Sequence, residues 1–226
     1  MSAPADVVFL LDVDNTLLDN DRVTGDLLHH IEREFGAERR DRYEAILEEL
    51  RGELGYVDYL GALQRYRLDD TCDARVLLMS SYLLDYPFAN RLYPGSLDAV
   101  EHLGRWGQTV ILSDGDVVFQ PRKVERSGLW EAVEGRVLIY IHKEEMLEDV
   151  EHHYPARRYV MVDDKLRILA AMKKILGDRV TTVFPRQGHY ALDPEVIKAY
   201  PPADVAIARI GDLVNYDLPA LLGGKR

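Results

Sequence analysis

"VVFLLDVDNTLLDN", residues 7–20, decides the fold. Val7 to Leu11 form an unbroken apolar run, the pattern of a strand covered on both faces. The run ends in two carboxylates, Asp12 and Asp14, one residue apart. Like charges at that spacing repel. They add no stability at the mouth of a buried strand, so the pair points to a ligand or a reaction.

Five further apolar runs follow: "TVIL" (109–112), "RVLIYI" (136–141), "YVMV" (159–162), "VTTVF" (180–184) and "DVAIA" (204–208). Helical periodicity fills the gaps at 95–106, 120–127, 143–152, 165–176 and 194–199. Strand and helix in repetition predict an α/β fold with a doubly wound parallel sheet. The stretch from 20 to 88 breaks the rhythm, with no strand-like run and helical patterns near 24–35, 41–51, 55–65 and 73–84. It reads as an inserted helical cap leaving the sheet directly after the two aspartates, placed to lie over them as a lid. The expected division is a core of 1–19 and 89–226 and a cap of 20–88. Only the tail "LLGGKR" reads as loose.

In an open parallel sheet ligands bind beyond the carboxyl ends of the strands. The residues expected on that rim are Asp12, Asp14 and Thr16 after the first run and Ser113, Asp114 and Gly115 after the second. His142 and Lys143 follow the third, and Asp163 and Asp164 the fourth. Carboxylates, a hydroxyl and a lysine are the parts of a magnesium-assisted phosphoryl-transfer site: a nucleophile, oxygen ligands for a hard cation and donors for phosphate oxygens.

The order of "DVDNT", "LSDG", "HK" and "VDD" resembles the four motifs of the haloacid dehalogenase superfamily, whose Rossmann-like core carries a helical cap after the first motif in many phosphatases. The resemblance spans roughly 6–210. It implies that Asp12 attacks phosphorus to form an aspartyl-phosphate. Asp14 would protonate the leaving oxygen and then activate water, its carbonyl binding the metal. It further implies that Thr16 braces the loop, that Ser113, with Asp114 and Gly115, meets the substrate phosphate, and that Lys143 offsets its charge. Asp12, Asp14, Asp163 and Asp164 would hold Mg2+. Many relatives carry Pro after the third-motif lysine, where this chain has Glu144; Lys123, in the helical "FQPRKVERSGL", is the competing lysine, and Lys143 is favoured. No acid stands at Ile168 or Leu169, so the fourth motif is of the adjacent-acid kind. Asp14 is expected to be a neutral acid, its proton affinity raised by acidic neighbours and partial burial.

Other readings are weaker. A calcium loop would need Gly at Leu17 and Glu at Val23. A phosphorylated receiver module would need three further strands after "VMVDD", more chain than remains. Asp116 suits a cap, and His29, His30, His152 and His153 solvated helix faces. Of the insert's residues, Arg51, Tyr56, Arg65 and Tyr86 are candidates to grip the substrate. A net charge of −11 over 226 residues argues against nucleic-acid or anionic-membrane surfaces. Cys72, the only cysteine, excludes an intramolecular disulfide and is expected to be inert. The opening "MSAPA" has no signal-like pattern and no run is long enough for a membrane span, so a cytoplasmic location is expected. The expected protein is a magnesium-dependent phosphatase acting on a small phosphorylated metabolite. A phosphotransferase or phosphomutase, and a catalytically silent binding protein of the same fold, are the alternatives. Oligomeric state is left open.

Overall fold

The computed structural model describes residues 4–69 and 75–222; Cys72 and the tail beyond Leu222 lie outside them. The chain starts with β1 (Ala5–Leu11) and then gives four helices, α1 (Asn20–Phe35), α2 (Ala37–Leu54), α3 (Tyr59–Asp69) and α4 (Arg75–Leu84). It continues as α5 (Ser96–Gly104), β2 (Gln108–Asp114), α6 (Phe119–Arg126), α7 (Leu129–Ala132), β3 (Val137–Tyr140), α8 (Leu147–His153) and β4 (Ala156–Val162). The last part is α9 (Leu166–Leu176), β5 (Val180–Pro185), α10 (Gly188–Leu192), α11 (Pro194–Lys198), β6 (Val205–Ile207) and α12 (Leu218–Leu221).

All neighbouring strands are parallel, in the order β3-β2-β1-β4-β5-β6. Leu10 stands beside Val110 on one side and Met161 on the other. Successive residues of β1 point to opposite faces. Val8 and Leu10 join the core that contains Met161, Leu169 and Met172, while Phe9 and Leu11 join the one that contains Val100, Ile111 and Val162. Helices cover both faces, so the run has no polar alternation. The edge strand β3 departs from this. Its residues are only half-buried and Ile141 just beyond is exposed, because it has a neighbour on one side only.

The chain winds outward from β1 to β3 in one direction and from β4 to β6 in the other, so β1 and β4 flank the point where the order reverses. That crevice is where such sheets bind ligands, and both acid pairs open into it.

The insert folds on its own apolar stripes. In α1 these are Val23, Leu27 and Ile31, opened by Asp19, which accepts from Arg22 N–H; in α2 they are Tyr43, Ile46, Leu47 and Leu50. Tyr43 donates its hydroxyl to the Tyr59 carbonyl at 2.9 Å, joining α2 to α3. The outgoing and returning chains run side by side: Asp19 N–H donates to Arg91 C=O at 2.7 Å and Tyr93 N–H to Leu17 C=O at 2.9 Å. At the far end, Gly55 (φ 79°) closes α2, and a Cβ there would stand 2.9 Å from the His142 ring. The insert therefore rests on the sheet end through a glycine. Among the described residues no helix is long and apolar enough to cross a membrane.

Candidate active site

The turn after β1 owes its shape to Asn15. Its backbone is left-handed (φ 61°), a conformation Asn tolerates better than most residues. Its Oδ1 accepts from the N–H groups of Asn20 and Asp21 at 3.0 and 3.1 Å, capping the start of α1. The same short segment thus aims Asp12 and Asp14 and launches the insert. Thr16 Oγ1 accepts from Asp164 N–H at 3.0 Å, tying this turn to the one after β4.

Asp12 is buried, and its Oδ1 accepts from Lys143 Nζ at 2.5 Å; the same ammonium stands 2.7 Å from Asp163 Oδ2 and donates to the Leu112 carbonyl at 3.2 Å. Asp114 Oδ1 accepts from Lys143 N–H at 2.7 Å, holding the start of the β3–α8 connection against β2. That connection is not one helix over 143–152. A 3-10 turn spans Lys143–Glu145 and α8 begins afterwards, which turns Lys143 inward.

Asp12, Asp163 and Asp164 each offer a ligand oxygen, and these oxygens lie within 4.8 Å of one another. Both carboxylate oxygens of Asp164 are buried without a hydrogen-bond partner. Burial pushes the Asp164 carboxyl well above its usual range and Asp163 up to about 6, in each case against the pull of nearby lysines. Lys143 is raised as well, for the opposite reason: burial opposes its charge, but Asp12 and Asp163 outweigh it and raise its proton affinity. A buried set of hard oxygen donors with orphaned atoms fits a divalent cation such as Mg2+. Asp12, Asp163 and Asp164 would hold it.

Asp14 has a different neighbour from the acidic one expected. Lys123, fully buried on α6, donates from Nζ to both Asp14 oxygens at 2.6 and 2.8 Å and to Asn20 Oδ1 at 3.0 Å. Gln120, one turn earlier, donates to Ser113 Oγ at 2.9 Å and to Asp14 Oδ2 at 3.3 Å. Gly115 lets that glutamine approach, since a Cβ there would meet its side chain at 2.7 Å. Both lysines weighed in the sequence therefore reach the site, each on a different aspartate. The signal that could have found Lys123 is helical spacing: Phe119, Gln120, Lys123 and Val124 share the buried face of α6. Lysine there reads as surface on composition alone.

Between insert and sheet lies a cavity of about 80 Å3, bordered by Asp14, Asn20, Arg51, Tyr56, Lys165 and His189 among others. Gly55, Lys165, Arg167 and Tyr190 also border a cleft of about 400 Å3 leading outward. Arg51 and Tyr56, two of the four insert candidates, face this space. Arg65 instead pairs with Glu53 at 2.8 Å, and Tyr86 binds Asp26 and Arg91. Asp116 accepts from Val118 and Phe119 N–H, as a cap does. His30 is not simply solvated but stacks on Tyr82 at 3.9 Å. His189, which no sequence motif marks, has its Nδ1 2.6 Å from Asp21 Oδ1 on α1.

A model of the haloacid dehalogenase-like hydrolases matches residues 7–175. A solved structure from Burkholderia xenovorans LB400, named as a haloacid dehalogenase-like hydrolase, is 70% identical, with a TM-score of 0.91 over 95% of this chain and 100% of that one. The HAD-hydrolase YfnB from Bacillus subtilis, solved bound to magnesium, is 15% identical (TM-score 0.61; 94% and 98% covered). The L-2-haloacid dehalogenase from Xanthobacter autotrophicus is 18% identical (TM-score 0.60; 99% and 100% covered). At those identities the last two speak for the fold alone. Comparison with curated proteins gives no match. With the family model covering most of the chain and the four motif segments gathered at one sheet end, the chain belongs to the haloacid dehalogenase-like hydrolases.

Proposed function

We propose that this hydrolase is a magnesium-dependent phosphatase that acts on a small phosphate monoester through an aspartyl-phosphate on Asp12. The observation that carries the reading is the buried trio Asp12, Asp163 and Asp164 with both oxygens of Asp164 orphaned. Displacing a halide from carbon gives such a donor set nothing to do. Bringing a phosphate dianion to three carboxylates does require added positive charge, because Lys143 and Lys165 alone leave the acids in excess. Mg2+ held there would supply that charge and orient a phosphate oxygen.

In this reading an Asp12 oxygen attacks phosphorus while Lys143 offsets charge on nucleophile and phosphate, and Ser113 faces a phosphate oxygen. An alkoxide needs a proton to leave and a halide does not, which gives the second aspartate a task peculiar to ester cleavage. The Asp14–Lys123 pair delivers that proton to the leaving oxygen. It takes one back from the water that attacks the aspartyl-phosphate, so the proton count closes over a turnover. Asn20, hydrogen-bonded to both Lys123 and Tyr59 of α3, links this pair to the insert. Phosphotransfer would share the first half and exclude water from the second.

Phosphate release from p-nitrophenyl phosphate and chloride release from 2-chloropropionate, each with Mg2+ and with chelator, test the reading. Phosphate release only with Mg2+, abolished by Asp12→Asn, is expected; chloride release rivalling phosphate release in either buffer contradicts it.

A further inference from the structure

We infer that the substrate's leaving group carries a second anionic group, a carboxylate or a second phosphate, received between Arg51 of α2 and Lys165 at the start of α9. The inference rests on the phosphatase reading and names the substrate class of that site.

Most cations around the cavity already have acidic partners. Lys143 has Asp12 and Asp163, Lys123 has Asp14 and Arg167 has Glu144, while the His189 ring nitrogen lies against Asp21. Two donors remain. Arg51 pairs through Nη1 with Glu48 at 3.3 Å, yet its Nε–H is buried with no acceptor. Lys165 is half-buried; burial opposes its charge, Asp164, Asp12 and Asp163 outweigh it from beyond contact, and no side-chain hydrogen bond holds its ammonium among the described residues. Its named contact is the Tyr190 ring, 5.1 Å away. An unmatched buried donor is costly in a native fold unless something else satisfies it; Arg51 Nε–H is such a donor, and Arg51 borders the same cavity as Asp14 and the half-buried Lys165.

The two come from different parts of the molecule, Arg51 from the insert and Lys165 from the sheet end. An anion between them would join the insert to the core at the moment the phosphate is seated, and a neutral alcohol could not. Arg51 at the end of α2 is fixed by Gly55, whose close approach to His142 sets where the helix ends. The carboxylates bordering the cavity do not repel such a group unopposed: Asp14 and Asp21 are paired as above, and Asp114 accepts from Lys143 N–H.

The test compares kcat/KM with Mg2+ for ethyl phosphate, 2-phosphoglycolate, propane-1,3-diol bisphosphate and p-nitrophenyl phosphate, in the native protein, Arg51→Met, Arg51→Lys and Lys165→Met. Charge-assisted hydrogen bonds of this kind predict a preference of about 10- to 100-fold for one of the doubly anionic esters over ethyl phosphate, carried mainly by KM. The carboxylate and bisphosphate arms identify the anion. Arg51→Met and Lys165→Met should each lose most of the preference, with Arg51→Lys keeping part of it. Hydrolysis of p-nitrophenyl phosphate by the native protein shows that the enzyme is active, and thermal unfolding midpoints report that each variant is folded; Lys165 also offsets charge at the acid trio, so its variant is read by the ratio between esters. If that ester is hydrolysed while neither doubly anionic ester is preferred, or if the variants slow every ester equally, the anion site is wrong and the phosphatase reading stands. If no ester releases phosphate, both fall.

Discussion

Lys123 and Lys143 each attend one of the two aspartates, so their removal should be felt in different steps. Lys143→Met takes the cation from Asp12, the proposed nucleophile, and should lower turnover of every phosphate ester by orders of magnitude. Lys123→Met disturbs the proposed proton donor, and its effect should be largest for alkyl esters, about 10²- to 10⁴-fold, and smaller for aryl esters with acidic phenols. Steady-state rates on one ester of each kind check this; equal losses in the two variants on both esters contradict the division. The acid trio gives a prediction in pH. Asp163 is raised to about 6 by burial, so without metal its contribution to stability is present below the unfolded value of 3.8 and lost as pH rises through the folded one. Protons compete with Mg2+ for the same oxygens, so the rise in Tm on adding Mg2+ should grow from about pH 5 to about pH 7.5. A rise of the same size at both pH values would contradict it. Asp12 and Asp14 could be read from sequence because an acid pair after an apolar run has few structural uses. Lys123 stood there only as a rival to Lys143, since its partner Asp14 lies 109 residues away, and nothing local marks Lys165.

Among the elements, α2 shows how the insert is seated. It ends at Gly55, left-handed and close against His142, whereas a Cβ added at Gly52, inside the helix, would have nothing within 4 Å. Gly55→Ala should cost about 1–2 kcal/mol from the left-handed backbone, more if the ring cannot yield. Gly52→Ala should gain about 0.5–1 kcal/mol by helix propensity. Urea midpoints separate the two; equal shifts would mean that the Gly55 contact places no constraint on the insert. The strands were legible because each is a short apolar run bounded by turns, and the long insert helices because their stripes repeat over several turns. Of the four- and five-residue helices only α11, at 194–198, was legible; α7, α10 and α12 were not, since one turn carries little period to read. The connection at 143–152 was read as one helix because the demand that interrupts it, Lys143 turning toward Asp12, is tertiary.

At the scale of the whole molecule, a chain with a net charge of −11 gathers its buried lysines at the one place where the strand order reverses. The sheet brings segments more than a hundred residues apart to that point, and the insert closes over them with a glycine at one end and paired backbone at the other. The position of the site followed from topology, which the run pattern already implied; the leaving-group side depends on how the insert packs, which no motif in it records. The most direct measurement is mass analysis of protein acid-quenched during turnover, using Asp14→Asn with Mg2+ and an aryl phosphate to slow hydrolysis of the intermediate. One phosphoryl group on the peptide bearing Asp12 is the predicted result. No phosphoryl adduct on that peptide, together with an ester-linked propionate on Asp12 when 2-chloropropionate is supplied instead, would contradict it.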